Sequence, residues 1–119
     1  MEENKKKKLE GIGVNIPEVM SRLMDNEDFF LRLLKKFIAD KSFSNLEDAL
    51  KENRFEDAFN ASHTLKGVAA NLGLGAISDT VVPLTELLRN PPYDRPAIEA
   101  MFPKLKEDYS RVIKIIETL

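Results

Sequence analysis

The chain has 119 residues, no cysteine, no tryptophan, one histidine and a formal net charge of −2. The lack of cysteine excludes disulfides, thiol nucleophiles and thiolate zinc sites, and one histidine excludes a multi-histidine metal site. The length allows a single domain, the 43% hydrophobic content is too high for a disordered chain, and the near-neutral charge disfavours a nucleic-acid partner. Imidazole chemistry, if there is any, must use His63.

The first ten residues include four consecutive lysines, Lys5 to Lys8, next to several glutamates. Charge blocks of this kind repel and stay solvated, so residues 1–10 are predicted to be a flexible tail and residues 11–119 the folded domain. No apolar segment approaches the roughly 20 residues of a membrane span, and there is no secretory signal. We therefore expect no direct membrane contact and a cytoplasmic location.

Amphipathic helices follow the tail in the expected chain order. Pro17 suits the first turn of a short helix, and Asn26 is a favourable N-cap for a second one. Ser42 or Ser44 is predicted to cap a third helix, and Asn53 to end it.

Three longer helices complete the pattern. One is predicted over residues 55–72 and closed by Gly73, one over residues 74–89, and the last from Asp94 to the end. No segment alternates with period two, so no strand is expected. Short connections between amphipathic helices predict an all-α fold, an antiparallel four-helix bundle with additional N-terminal helices.

Two prolines fall inside predicted helices. Pro83 should kink its helix and Pro103 should bend or interrupt the last one, because proline lacks an amide donor and clashes with the preceding turn. The run Asn90 to Tyr93 is the clearest loop.

The helix over residues 55–72 points its histidine away from the core. With residues about 100° apart around the axis, a stripe of small and aliphatic side chains is centred on Leu65, and His63 lies about 160° from it. The stripe comprises Ala58, Ala61, Ser62, Leu65, Val68, Ala69 and Leu72. His63 is therefore predicted to be exposed.

Three neighbours share this outer face. Gly67 follows His63 by one turn, and in mid-helix it costs about 1 kcal/mol relative to alanine, which suggests that something must approach closely. Ala70, one turn further on, also has a small side chain that projects little from this face. Lys66 brings an ammonium within reach of the same space.

An exposed imidazole next to a cation suits phosphoryl chemistry, because the ring nitrogen is a nucleophile and the phosphoryl oxygens carry negative charge. The sequence has no glycine-rich phosphate loop, no Ser–His–Asp spacing and no carboxylate pair in a metal arrangement. This composition predicts a chain that accepts a group from another protein and presents it, rather than one that cleaves a substrate.

Residues 62–73, SHTLKGVAANLG, resemble the signature of the histidine-containing phosphotransfer domain, which is His-x-Leu-Lys-Gly followed by small residues and a helix-ending glycine. The flanking helices resemble those of the same family, and the resemblance covers about residues 11–119. It implies a helical bundle that relays a phosphoryl group between receiver-domain aspartates.

By this resemblance, His63 is the phospho-acceptor, Lys66 stabilises the phosphoryl charge and Gly67 leaves room for the partner. The partners implied are receiver domains and an upstream sensor histidine kinase. The domain is then a phosphocarrier without an ATP site or cofactor of its own, and Mg²⁺ is expected on the receiver. It is either free-standing or the C-terminal module of a hybrid sensor kinase, and monomeric when isolated.

The receiver is expected to dock on a hydrophobic and small-residue patch around the histidine. The ring of one candidate, Phe59, has an alternative position against the preceding helix. The candidates are Phe59, Asn60 and Ala70, with Leu74, Ile77 and Ser78 from the following helix.

Two other functions remain open at this point. The chain is either a carrier or a degenerate adaptor that binds a receiver without chemistry, in which case His63 is incidental. A hydrolase with His63 as general base is the third possibility, but it requires an orienting carboxylate, and Glu56 lies about two turns away.

Overall fold

The structure, a computed structural model, describes residues 1–119 and contains seven α-helices and no strand. The predicted all-α fold is confirmed, with one helix more than expected. None of the helices combines the length and the apolar composition that crossing a membrane requires. The helices are α1 (Glu3–Gly11), α2 (Ile16–Arg22), α3 (Glu27–Phe37), α4 (Ser42–Lys51), α5 (Phe55–Leu72), α6 (Gly75–Leu87) and α7 (Arg95–Glu117).

Most of the predicted helix ends are confirmed by their local chemistry. The Asn26 side chain accepts a hydrogen bond from the amide of Phe29 at 3.0 Å, and Asp94 accepts one from Ala97 at 3.1 Å. These caps satisfy amides that have no partner inside the helix. Gly73, at φ +69°, adopts the left-handed conformation that closes α5.

The predicted cap of α4 is wrong. The helix begins at Ser42, and neither this serine nor Ser44 caps it through its side chain. The carboxylate of Asp40 instead accepts hydrogen bonds from the amide of Ser42, at 2.9 Å, and from its hydroxyl. The hydroxyl of Ser44 donates to the carbonyl of Lys41 at 3.0 Å. Asp40 takes the capping role because its charged oxygen is the stronger acceptor.

The two internal prolines do not end their helices. Pro83 lies inside α6 and Pro103 inside α7, and α7 continues without interruption to Glu117. Both prolines are exposed. Solvent can therefore bond the carbonyl that each proline leaves without an amide partner.

Helices α4 to α7 form the antiparallel bundle. Helix α5 lies between α4 and α6, α6 packs against α7, and α3 contacts both α5 and α7. Aromatic rings join α7 to α4, since Phe43 stacks on Tyr109 at 4.1 Å and on Phe102 at 5.6 Å between ring centroids. This arrangement leaves one long face of α5 free.

The N-terminal segment is part of the fold, so the prediction of a flexible tail over residues 1–10 does not match the structure. Leu9 of α1 is completely buried in the common core, while the four lysines before it are exposed or half-buried. Beyond α1, the carbonyl of Ile12 accepts a hydrogen bond from the amide of Ala76 at 3.1 Å. The prediction followed the charge of the lysine run and overlooked Leu9, whose burial docks the short helix α1 on the core.

Leu9→Ala tests whether α1 contributes to stability. We expect the free energy of unfolding to fall by about 2–4 kcal/mol, because truncating a buried leucine removes apolar burial and leaves a cavity. Urea denaturation followed by circular dichroism measures the change. Lys7→Ala, at an exposed position of the same helix, should change it by less than about 0.5 kcal/mol. Equal values for the two variants would contradict the packing of α1.

Candidate functional site

Helix α5 buries one stripe and presents the opposite face to solvent. The buried residues are spaced three or four apart, as predicted, and His63 is exposed. They are Ala58, Ser62, Leu65, Ala69 and Leu72. The helix therefore places the imidazole on the outer surface of the bundle.

A buried pair of hydroxyl groups fixes this orientation. The Oγ of Ser62 lies 2.5 Å from the Oγ1 of Thr85 on α6, and both residues are completely buried. Thr85 also bonds the carbonyl of Val81 at 2.7 Å. Because buried hydroxyls are costly without partners, this pair favours one register of α5 against α6. Ser62 directly precedes His63, so the register also sets the direction of the imidazole.

The ring of Phe59 lies between His63 and the end of α6. Its centroid is 5.9 Å from that of the imidazole, with the planes 16° apart, and the guanidinium carbon of Arg89 lies 5.1 Å from the Phe59 centroid. Phe59 is half-buried. Its stacking partners thus lie on its own helix and on the α6 side, so the ring borders the histidine.

Three charged side chains occupy the α6 side of this face. The carboxylate of Glu86 accepts two hydrogen bonds from Arg89, at 2.7 and 3.1 Å. The pKa of Glu86 is lowered from its ordinary value, first by the bond from Arg89 and further by the charge of Lys66. Lys66 itself takes part in none of the ion pairs of the chain. Its ammonium is therefore unpaired, on the same helix as His63 and three residues after it.

Gly67 borders His63 on the other side, and the packing of the chain does not explain it. A Cβ atom built there would meet nothing within 4 Å. Gly67 is exposed and α5 passes through it without a break. A glycine that weakens the helix without serving a contact within the chain indicates that space is needed above it.

The predicted docking residues divide into two groups. Asn60 and Ala70 are exposed on the face of His63, and Ser78 is half-buried. Leu74 and Ile77 are completely buried, so their assignment to a docking surface is wrong. Both side chains belong to the core cluster, because the turn after Gly73 brings the start of α6 onto the bundle interior.

The structure adds residues that the sequence interpretation missed. Val82 is 44% exposed and lies one helical turn before Glu86, so both line one side of α6, and Arg89 follows the end of the helix and bonds Glu86. A helical projection of α6 would have found this row. Arg22 of α2 donates a hydrogen bond to the carbonyl of Ala70 at 3.4 Å, a contact over 48 residues that no local pattern indicates.

His63 lies on a ridge rather than in a pocket. The three largest cavities, of about 580, 550 and 430 Å³, are lined by other residues. No side chain hydrogen-bonds the imidazole, since its neighbours Ser62 and Thr64 bond Thr85 and the carbonyl of Asn60. The chain also has no group of three or more acidic or histidine side chains that could hold a metal ion. The imidazole is therefore exposed and has no side-chain hydrogen-bond partner in the structure.

Gly67→Ala tests whether the fold itself requires the glycine. We expect the free energy of unfolding to rise by about 0.5–1 kcal/mol, because alanine is the better helix former and its methyl group meets open space. Chemical denaturation measures the difference. Gly73→Ala is the contrasting change: it should destabilise the protein, since Gly73 has a positive φ and a Cβ there would lie 2.6 Å from Val19. A loss of stability in Gly67→Ala would show that the packing account is wrong.

Comparisons with known proteins give one match. The model of the family described as the Hpt domain matches residues 32–114, which extend from within α3 to near the end of α7 and include His63 and all of α5 and α6. No curated protein and no solved structure was found to match the chain.

Proposed function

Since the chain belongs to the Hpt domain family, whose members carry phosphoryl groups in phosphorelays and interact with receiver domains of two-component systems, we propose that His63 is its phospho-acceptor. Such domains are phosphocarrier modules rather than catalytic domains. The observation that carries the proposal is an exposed imidazole on α5 with open space above the adjacent Gly67.

The transfer is a substitution at phosphorus. The lone pair of a ring nitrogen of neutral His63 forms the P–N bond, and the P–O bond to the aspartate of the receiver breaks. The electron pair of that bond returns to the carboxylate, and the phosphorylated ring carries one positive charge until it loses its remaining N–H proton to solvent. The onward step is the reverse, toward an aspartate of a second receiver.

Lys66 and Gly67 support this step in different ways. Lys66 offers an unpaired ammonium to the phosphoryl oxygens, whose charge is spread over three atoms in the transition state. Gly67 lets the receiver bring its phosphoaspartate close to the imidazole. Mg²⁺ bound by the receiver would supply further charge neutralisation.

The docking surface we propose surrounds the histidine on α5 and the exposed side of α6. It consists of Phe59, Asn60, Ala70 and Ser78, and it now includes Val82 in place of the buried Leu74 and Ile77. An exposed valine next to small side chains offers apolar area to a partner without obstructing the imidazole.

The cellular setting is part of the same proposal. We propose a cytoplasmic domain that receives its phosphoryl group, through a receiver, from an upstream sensor histidine kinase. It is either a free carrier or the C-terminal module of a hybrid kinase, and the isolated domain is a monomer. These assignments rest on the family and on the expectations from sequence.

Phosphorylation of His63→Gln tests the acceptor. Incubation with a ³²P-phosphorylated receiver domain should label the wild-type chain with an acid-labile, alkali-stable phosphoramidate, and the variant should take up no label. Thr64→Ala is the control, because its exposed hydroxyl bonds only a carbonyl of α5. Equal labelling of His63→Gln would disprove the assignment. Binding of the receiver without labelling of the wild type would instead indicate the adaptor function.

Transfer to Gly67→Gln tests the space above the glycine. Compared with Gly67→Ala, the long side chain should slow transfer from the phosphorylated receiver by about tenfold or more, because small displacements of reacting groups cause large losses of rate. Rapid-quench measurement of label on His63 gives the rates. Both variants should remain at least as stable as the wild type. Equal transfer rates would contradict the role of the glycine.

A further inference from the structure

A carboxylate lies where a phosphoryl carrier has no evident use for one. The face of His63 gains a group with a charge of about −1.5 to −2 when it is phosphorylated, and Lys66 already supplies an opposite charge. Glu86 brings a negative charge to the same face. The function proposed above gives this residue no role.

The contacts place Glu86 at the end of a continuous row of side chains that starts at His63. The imidazole stacks on Phe59 at 5.9 Å, Arg89 lies 5.1 Å from the Phe59 ring, and Glu86 bonds the Arg89 guanidinium through both carboxylate oxygens. The first two distances limit the separation of the imidazole and the Arg89 guanidinium to at most about 11 Å. Arg89 is thus held on the histidine face by an aromatic ring and a carboxylate.

Glu86 limits how strongly this face can attract an anion. Its carboxylate occupies two guanidinium N–H donors of Arg89 that could otherwise bind phosphoryl oxygens. The pKa of Glu86 is lowered mainly by the bond from Arg89, and the charge of Lys66 adds to the effect, so Lys66 lies near enough to interact with this carboxylate. With Glu86 present, this side of the face carries one positive charge fewer than Lys66 and Arg89 alone would give.

We propose that Glu86 is a counter-charge that weakens the hold of the His63 face on a phosphoryl group, so that phosphorylated His63 releases this group more readily. The inference rests on the proposed phospho-acceptor role of His63. Glu86 is not a catalytic residue in this account, because it acts through Arg89 and Lys66 and by repulsion across the face.

The direction of the effect follows from the charge on the leaving group. When the P–N bond breaks, its electron pair moves to the ring nitrogen, and the charge on the phosphoryl group falls from about −2 toward −1 in a loose transition state. Nearby cations therefore stabilise the phosphorylated protein more than the transition state and slow the loss. Glu86 opposes them and favours departure.

The test uses Glu86→Gln with chemical phosphorylation, so that no receiver is involved. The protein is loaded with potassium phosphoramidate, the reagent is removed, and the ³¹P signal of phosphohistidine is followed as the phosphoryl group passes to water. In that reaction the ring takes up a proton from water, the P–N bond breaks with its electron pair returning to the ring nitrogen, and a water oxygen bonds phosphorus and releases a proton, which gives neutral imidazole and inorganic phosphate. We expect a half-life about two- to fivefold longer than that of the wild type, because one charge on a solvated surface acts on the phosphoryl group only weakly.

Glu99→Gln is the matched control, because Glu99 is an exposed glutamate on α7 that lines a different groove and forms no ion pair. It changes the net charge equally and should leave the half-life unchanged. Arg89→Gln removes the cation and frees Glu86, so it should shorten the half-life. At 1 M NaCl the differences should nearly vanish, since the screening length falls to about 3 Å.

A Glu86→Gln half-life equal to that of Glu99→Gln, or a lengthening that persists at 1 M NaCl, would overturn the inference. Because the phosphoryl group is loaded chemically, the measurement stands even if no receiver transfers to His63. If the relay function is wrong, only the labelling experiment with the receiver shows it. If the role of Glu86 is wrong, only the half-life measurement shows it.

Discussion

The burial of one stripe of α5 is the constraint on which the rest of the site depends. Small side chains along this stripe let α4 and α6 approach α5 closely, and Leu65 at its centre is completely buried. An α-helix that buries one stripe must expose the opposite one, which carries His63. The hydroxyl pair of Ser62 and Thr85 adds directionality, because apolar packing alone tolerates small shifts along the helix axis. The position of the imidazole is therefore a consequence of core packing.

The chemistry of the face is incomplete by itself, and this explains its shape. A hydrolase needs a pocket that excludes water and a partner that orients the imidazole. Here the imidazole is exposed and has no side-chain hydrogen-bond partner. Gly67, one turn further on, has no side chain that could block a partner approaching the ring. A ridge can enter the active site of another protein, whereas a pocket cannot. The geometry thus agrees with the phosphocarrier character of the Hpt family.

The sequence predicted the parts of this site that depend on local periodicity. The exposure of His63 and Gly67 and the half-buried position of Lys66 relative to the buried stripe follow from the geometry of one 18-residue helix. The sequence could not predict that Thr85 bonds Ser62, because the two residues are 23 positions apart and lie on different helices. The burial of Leu74 and Ile77 depends on how the turn at Gly73 sets α6 against the bundle, which a projection of α5 does not contain.

The prediction for the N-terminal segment was wrong for a different reason. Composition describes an average, and four lysines dominate the average of the first ten residues, while docking depends on the single side chain of Leu9. Backbone contacts then secure the following segment, since Gly13 and Gly75 pass so close that a Cβ on either would lie within 3 Å of backbone atoms of the other segment. Close approach of two backbones is a property of the assembled fold, and the sequence around either glycine does not indicate which segment it will contact.

A carrier differs from an enzyme in what its charges must achieve. An active site gains by stabilising the transition state as strongly as possible, whereas a carrier must hold its group and then give it up to a partner of similar chemistry. A strongly cationic face would trap the phosphoryl group on His63, and a neutral face would not attract it. The face observed here, with Lys66 unpaired and Arg89 neutralised by Glu86, lies between these limits. Reversible transfer is easiest when neither side of the exchange is strongly favoured, and an intermediate charge is the simplest way for a small surface to approach that condition.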